Sequence, residues 1–430
     1  LISNRLNENT QICTVRGKMD DENASCSYDS EDEAQLSLLD LPVEIFLYIC
    51  SFLEASTLVH GLSLVCKQFY LILKDDSLWK ARINHIWPDA SYPLLRPARP
   101  DKLFWKLSCV AIEKQTALWK GSVVDKLIIA SAQYSTVDAL LLMHNGTICI
   151  AGARDRTLLY WKLPSHENPS SSENGNTVCT DSAHNGWIWD LTAIDNTIYS
   201  CSWDQSVKSW MLINTGLVKL KTYEMNTASG ALLCVSSCPE QALFATGSYS
   251  RTIFVFDSRS GHKPIRQYRP HTGAVIKLAM NSEYILSASE DKTVSVWDQR
   301  AGRTMKSITI SGEAFPMCMS MQRDCVCVGD STAKLHVLNP KNDFELVKSY
   351  STKHTKGITG VHLAHGCLIT SSKDGTVRIS SPTDPPKPIA TFLSGFGEIA
   401  SMDYLNGILA ISGIDVAVWR PKLSFLTKHQ

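Results

Sequence analysis

The sequence predicts a mainly β fold, a seven-bladed β-propeller preceded by a small α-helical domain. Three observations carry that expectation. From His271 to Asp298, three short alternating strands are separated by polar turns and closed by Trp297-Asp298, and the pattern returns every 39 to 49 residues. That is close to the period of a four-stranded blade. Ahead of the repeats, residues 37–84 carry apolar side chains at helical rather than alternating spacing. Finally, the last repeat runs out of chain one strand early, as a ring closed from its N-terminal side would.

Length and composition set the outer limits. A chain of 430 residues has room for one large domain and a smaller one. Lys+Arg and Asp+Glu are 42 each, a balance that suggests no nucleic acid and no membrane among the partners. No apolar run reaches the roughly 20 residues of a membrane span. No signal-type leader is visible, although residue 1 is Leu and a start upstream is expected. The 14 cysteines include no CxxC pair. Scattered through short apolar strands, they read as small core residues of a protein kept reduced, intracellular in the cytoplasm and/or nucleus. GxxxxGK[ST], GxSxG and clustered metal ligands do not occur, so no cofactor, no metal and no catalysis are expected.

In chain order, residues 1–36 are polar, with Asp20-Asp21-Glu22 and Glu31-Asp32-Glu33, and read as a disordered acidic tail. Residues 37–84 change character. Asp40 suits a helix N-cap and Pro42 a first turn. Leu41, Ile45, Ile49 and Phe52 then fall on one helical face, widened by Phe46 and Leu53. Further short helices are predicted from about Ser56 to Leu64, around Val65–Tyr70 and from about Ser77. Together they carry more apolar surface than they can bury, and the excess suggests a partner groove. Residues 85–120 form a helical linker, Pro-bent at Pro88, Pro93, Pro97 and Pro100, with its helix from about Lys102 to Lys114. Leu103-Phe104-Trp105 should pack on neighbouring helices and stiffen the joint.

Residues 121–430 hold the repeats. Aligning on Trp297 gives anchors at Trp161, Trp210, Phe256, Trp297, Leu338, Ser380 and Trp419, hence seven blades. Structural tetrads are expected from His184, Ser200, Asp204 and Trp210 in blade two and from His271, Ser287, Asp291 and Trp297 in blade four. In each, the turn Asp accepts from the His, and the Ser and the indole N–H extend the network, because an orphaned buried polar group costs about 1–3 kcal/mol. Ser/His/Asp also suggests a nucleophilic triad. Recurrence at the same offsets, tied each time to a Trp, argues for structure instead. Blade six keeps His354, Thr370 and Asp374 without the Trp, and blades five and seven are the most degraded. Blade seven lacks its outer strand, which Lys126–Ala130 should supply. The Ser/Asn/Glu-rich insertion Pro164–Asn176 reads as a mobile loop.

Leu41-Pro42-Val43-Glu44-Ile45, the Leu-Ser-Leu-Val-Cys-Lys run at 62–67 and Trp79 resemble the F-box. With WD repeats following, the whole chain after the tail resembles the F-box/WD-repeat family. The resemblance implies a substrate-recognition subunit of a Skp–cullin–F-box ubiquitin ligase, itself non-catalytic. Its F-box would bind the Skp-family adaptor, and through it cullin and RING subunits, with Leu41, Pro42, Ile45, Ile49, Phe52, Leu53 and Val65 on the docking face. The propeller would bind a protein substrate. A non-catalytic propeller scaffold in another multiprotein assembly is the alternative.

Substrate-binding candidates come from the turns flanking the tetrad Asp. The preceding positions carry Arg154, Trp203, Tyr249, Glu290 and Lys373, and the following ones Arg156, Arg251 and Lys292. Trp187, Trp189 and Phe315 lie at neighbouring strand entries. Aromatic and Arg residues on one face are the composition of interaction hot spots. Arg156, Arg251 and Lys292 are expected to converge where an acidic or phosphorylated segment would dock.

Overall fold

A computed structural model describes residues 38, 41–95, 101–121, 124–129, 135–163, 177–180, 182–214, 216–225, 230–310 and 312–422. The acidic tail, the Asp40 cap and the 164–176 loop lie outside the described residues. The chain forms two compact units, one ending at Leu47 and one beginning at Tyr48.

Helix α1 (Val43–Ser51) crosses that boundary. Pro42 opens it, its carbonyl accepting the Phe46 N–H at 3.0 Å. Within the second unit follow α2 (Ala55–His60), a 3-10 turn at Leu62–Leu64, α3 (Lys67–Leu73) and α4 (Asp76–Ile86). Local chemistry sets their ends. Cys66 Sγ caps α3 by accepting from Phe69 N, and Asp75 caps α4 by accepting from Ser77 N at 2.9 Å. Trp79 is fully buried and gives its indole N–H to the Leu73 carbonyl at 2.9 Å, locking α4 onto the end of α3.

The linker helix α5 runs Phe104–Lys120, a turn and a half beyond the expected Lys114. Its extra length is held by tertiary contact. Gln115 accepts from the Trp119 indole at 2.7 Å, and Leu118 and Trp119 enter the core shared with Ile369, Ile411 and Trp419. Upstream, Tyr92 packs against Trp87, Phe104 and Trp105, and Ser91 and Asp384 exchange backbone hydrogen bonds at 2.9 and 2.8 Å. The joint is therefore stitched to blade six, through the Pro382–Pro386 stretch.

Among the described residues there are seven four-stranded antiparallel sheets. Six use consecutive strands, and the seventh is closed by Val124–Ile129 paired with Val416–Pro421, Lys126 opposite Trp419. Closure removes the free edge of blade seven and ties both ends of the ring together. Apolar layers between blades make up the core. Small residues permit the close approach: a Cβ on Gly247 would lie 2.5 Å from Val275 of the next blade. The described cysteines are free, and most are buried.

Candidate functional site

Among the described residues, two surfaces carry the side chains singled out by the sequence. The first is on the helices preceding the linker. In α1 the side chains turned inward are Phe46 and Cys50. The stripe singled out by spacing faces solvent: Pro42, Ile45 and Ile49 are exposed, and Leu41 is half-buried. In the second unit Phe52 is 72% exposed and Val65 68%, with Leu53 half-buried. Sequence spacing missed Tyr48, Leu64, Tyr70 and Leu71, all exposed. Tyr48 stands edge-on to Phe52 at 5.0 Å. The excess of exposed apolar residues over charged neighbours in so short a run was their one sequence signal.

The polar relays lie inside the blades. In blade two His184 Nδ1 meets Asp204 Oδ2 at 2.9 Å, His184 Nε2 meets Ser200 Oγ at 2.7 Å, and Trp210 Nε1 donates to Ser200 Oγ at 2.8 Å. Asp204 also accepts from Asn185 N and Ser206 N. Burial pushes the His184 imidazole below its ordinary value. Burial alone would raise Asp204, but hydrogen bonds from His184 and Ser206 hold its carboxyl well below the usual range. A neutral imidazole donating to a carboxylate is a stable pair with no exposed nucleophile beside it.

Blade four repeats the chain from Asp291 through His271 to Ser287 at 3.0 and 2.8 Å, then on to the Ser295 carbonyl. Trp297 differs from expectation. Its ring stacks on Tyr268 of blade three, centroids 3.7 Å apart, where the indole gains a full aromatic face. Blade six joins His354 to Asp374 and Thr370 at 3.1 and 3.0 Å. Blade five, which looked degraded, holds a substitute: Asp330 accepts from His336 Nε2 at 2.9 Å and caps the turn through Thr332 N and Lys334 N.

The second surface is the channel mouth, a cavity of about 850 Å³. Arg154, Trp187, Trp189, Trp203, Tyr249 and Phe315 line it, as do Glu290 and Lys373. Trp187, Trp189 and Trp203 sit 5.7–6.1 Å apart, and Tyr249 extends the group at 6.3 Å from Trp203. Arg154 is not free: its guanidinium donates to both Asp138 oxygens at 2.7 and 3.1 Å and lies over Trp187 and Trp189. At the channel wall Lys277 pairs with Asp190 at 2.9 Å. The expected convergence of Arg156, Arg251 and Lys292 is not found. None of the three lines the cavity, and Lys292 donates to the Gly312 carbonyl at 3.1 Å. Each occupies the left-handed turn position, φ 74°, 70° and 70°, where the chain has already reversed away from the residue before the Asp. Phe396, in Gly395-Phe396-Gly397, and Ile414 also line the mouth and were missed; a Phe between two glycines outside any strand pattern was the available clue.

Helices with exposed apolar side chains, followed by a closed seven-bladed propeller with an aromatic mouth, define the class of protein by architecture. Comparison with known proteins places it further. Residues 38–84 match the F-box-like family, and residues 218–257, 262–298 and 344–379 match the WD domain, G-beta repeat. The chain is similar to F-box/WD repeat-containing protein 9 of Homo sapiens, 33% identical over 89% of this chain and 82% of the relative. It is 32% identical to F-box/WD repeat-containing protein 9 of Bos taurus, with the same shares covered. F-box/WD repeat-containing protein mec-15 of Caenorhabditis elegans is 29% identical over 80% of this chain and 86% of the relative. The chain belongs to the F-box/WD-repeat family.

Proposed function

We propose that this protein is the substrate-recognition subunit of a Skp–cullin–F-box ubiquitin ligase. The observation that carries the reading is the row of exposed apolar side chains on the F-box helices, a surface that soluble monomers rarely leave uncovered. The Skp-family adaptor docks on these helices: Ile49, Phe52, Leu53 and Val65 are its candidate contacts in the second unit, and Leu41, Pro42 and Ile45 are candidates within the first. Cullin and RING subunits follow through the adaptor. The propeller mouth takes the protein substrate, with Trp187, Trp189, Trp203, Tyr249 and Phe315 as its contacts. The chain supplies position and effective concentration for ubiquitin transfer and no bond chemistry of its own.

Exchanging exposed Phe52 for Ala, together with Leu41→Ala and Pro42→Ala, should abolish capture of the adaptor and cullin while the melting temperature stays near that of the parent. Adaptor capture that survives all three changes removes these residues from the docking face, and a parent protein that captures no adaptor removes the ligase reading. Capture of a different assembly through the same residues would favour a propeller scaffold instead.

A further inference from the structure

We infer that the channel mouth receives a cationic side chain, a lysine or arginine of a protein segment, seated against Trp203, Tyr249 and Glu290. The inference rests on the reading of the mouth as the substrate site and names the chemistry that site selects.

The charges lining the cavity are mostly spoken for. Arg154 is held by both oxygens of Asp138. Lys277 is held by Asp190, and Glu398 by Lys356 at 2.7 Å. Among the described lining residues, Glu290 and Lys373 are left without an ion pair. They are far from equivalent. Lys373 belongs to blade six and adds a smaller contribution to Lys356, whose hydrogen bond and charge draw the Glu398 carboxyl below its ordinary value. Glu290 is on blade four, between Tyr249 of blade three and Phe315 of blade five, and it is exposed. An exposed carboxylate in a cavity lined by aromatic residues is a receptor for a cation, since the carboxylate supplies charge and the ring faces supply their quadrupole.

The rings are available. Trp203 is 46% exposed and Tyr249 59%, tilted 46° to each other. The neighbouring pair shows what such faces hold: the Arg154 guanidinium lies 5.3 Å from the Trp187 ring and 5.5 Å from that of Trp189. The protein thus seats one guanidinium of its own beside the vacant faces. For a phosphorylated segment, the described lining residues offer Lys373 as an unpaired cation but no unpaired guanidinium. Arg156, Arg251 and Lys292 lie off the cavity, and a bidentate phosphate clamp needs a guanidinium that Arg154 has committed to Asp138.

The test uses the full chain with its adaptor and fluorescein-labelled peptide pools, degenerate except for a fixed central Lys, Arg, Glu or phosphoserine. The Lys and Arg pools should bind by anisotropy, with Glu290→Gln weakening them about tenfold, the equivalent of about 1.4 kcal/mol. Trp203→Ala should weaken them at least as much, and neither variant should shift the melting temperature. A preference for the phosphoserine or Glu pool, indifferent to Glu290→Gln but lost in Trp203→Ala, overturns the cationic class while leaving the mouth as substrate site. Binding of no pool, or binding unaffected by Trp203→Ala, overturns both.

Discussion

Asp291 in blade four and Asp330 in blade five each hold a buried histidine, from positions that do not align. Asp291 stands in the turn and pairs with His271 ahead of the first strand, whereas Asp330 ends the second strand and pairs with His336 on the third. The turn must have its N–H groups satisfied in either case, and both carboxylates do so. Asp204→Ala, Asp291→Ala and Asp330→Ala should therefore each cost about 1–3 kcal/mol, read as a lower unfolding midpoint at unchanged m-value. An Asp330→Ala protein that matches the parent would reduce the blade-five pair to an incidental contact. The relays with regular His–Asp spacing were legible in the sequence because both partners sit at fixed offsets from one turn. The blade-five pair was not, since donor and acceptor had both moved. Trp297 was misread for a different reason: its stacking partner Tyr268 comes from the preceding blade, and no single repeat contains that information.

At the scale of elements, the F-box helices meet the linker helix through one ion pair with many backbone duties. Arg82 of α4 pairs with Glu113 of α5 and also donates to the Cys50 and Leu53 carbonyls near the end of α1. Glu113 in turn accepts from Ala55 N at 2.7 Å, the first N–H of α2. One guanidinium and one carboxylate thus satisfy a helix C-terminus and a helix N-terminus while joining α4 to α5. Glu113→Ala should cost about 1.5–3 kcal/mol, because it leaves charge-assisted bonds unmade. Hydrogen exchange should then rise in α2 and α4 and stay unchanged in the propeller. Uniform loss of protection across the blades would show that the pair acts on the whole fold instead. The helices themselves were legible from apolar spacing, and their ends less so. α5 outran its expected stop because Trp119 buries against blades six and seven, a long-range contact that local propensity cannot report.

For the molecule as a whole, the relays and one further histidine set a common response to acid. His184, His271 and His354 titrate below the ordinary imidazole range because burial disfavours their charged form, the paired aspartates opposing without reversing it. His362, packed 4.9 Å from Tyr404, is pushed down by burial to about 4. In the unfolded chain all four take up a proton near pH 6.5. Between that value and their lower folded values the unfolded state binds more protons, so stability falls as pH falls, by up to about 1.4 kcal/mol per unit for each histidine. The carboxyls of Asp204, Asp291, Asp330 and Asp374 are also held low, and their contribution is full above about pH 4 and lost below it. Both effects have the same sign, so the melting temperature should begin to drop as pH falls through about 6.5 and drop further below about 4. His362→Phe keeps an aromatic ring against Tyr404 and removes one titrating group, so its decline between pH 6.5 and 4 should be shallower than the parent's. An identical slope in that variant would mean that His362 is already charged in the folded protein, and a parent curve flat down to pH 5 would mean the same of the relay histidines.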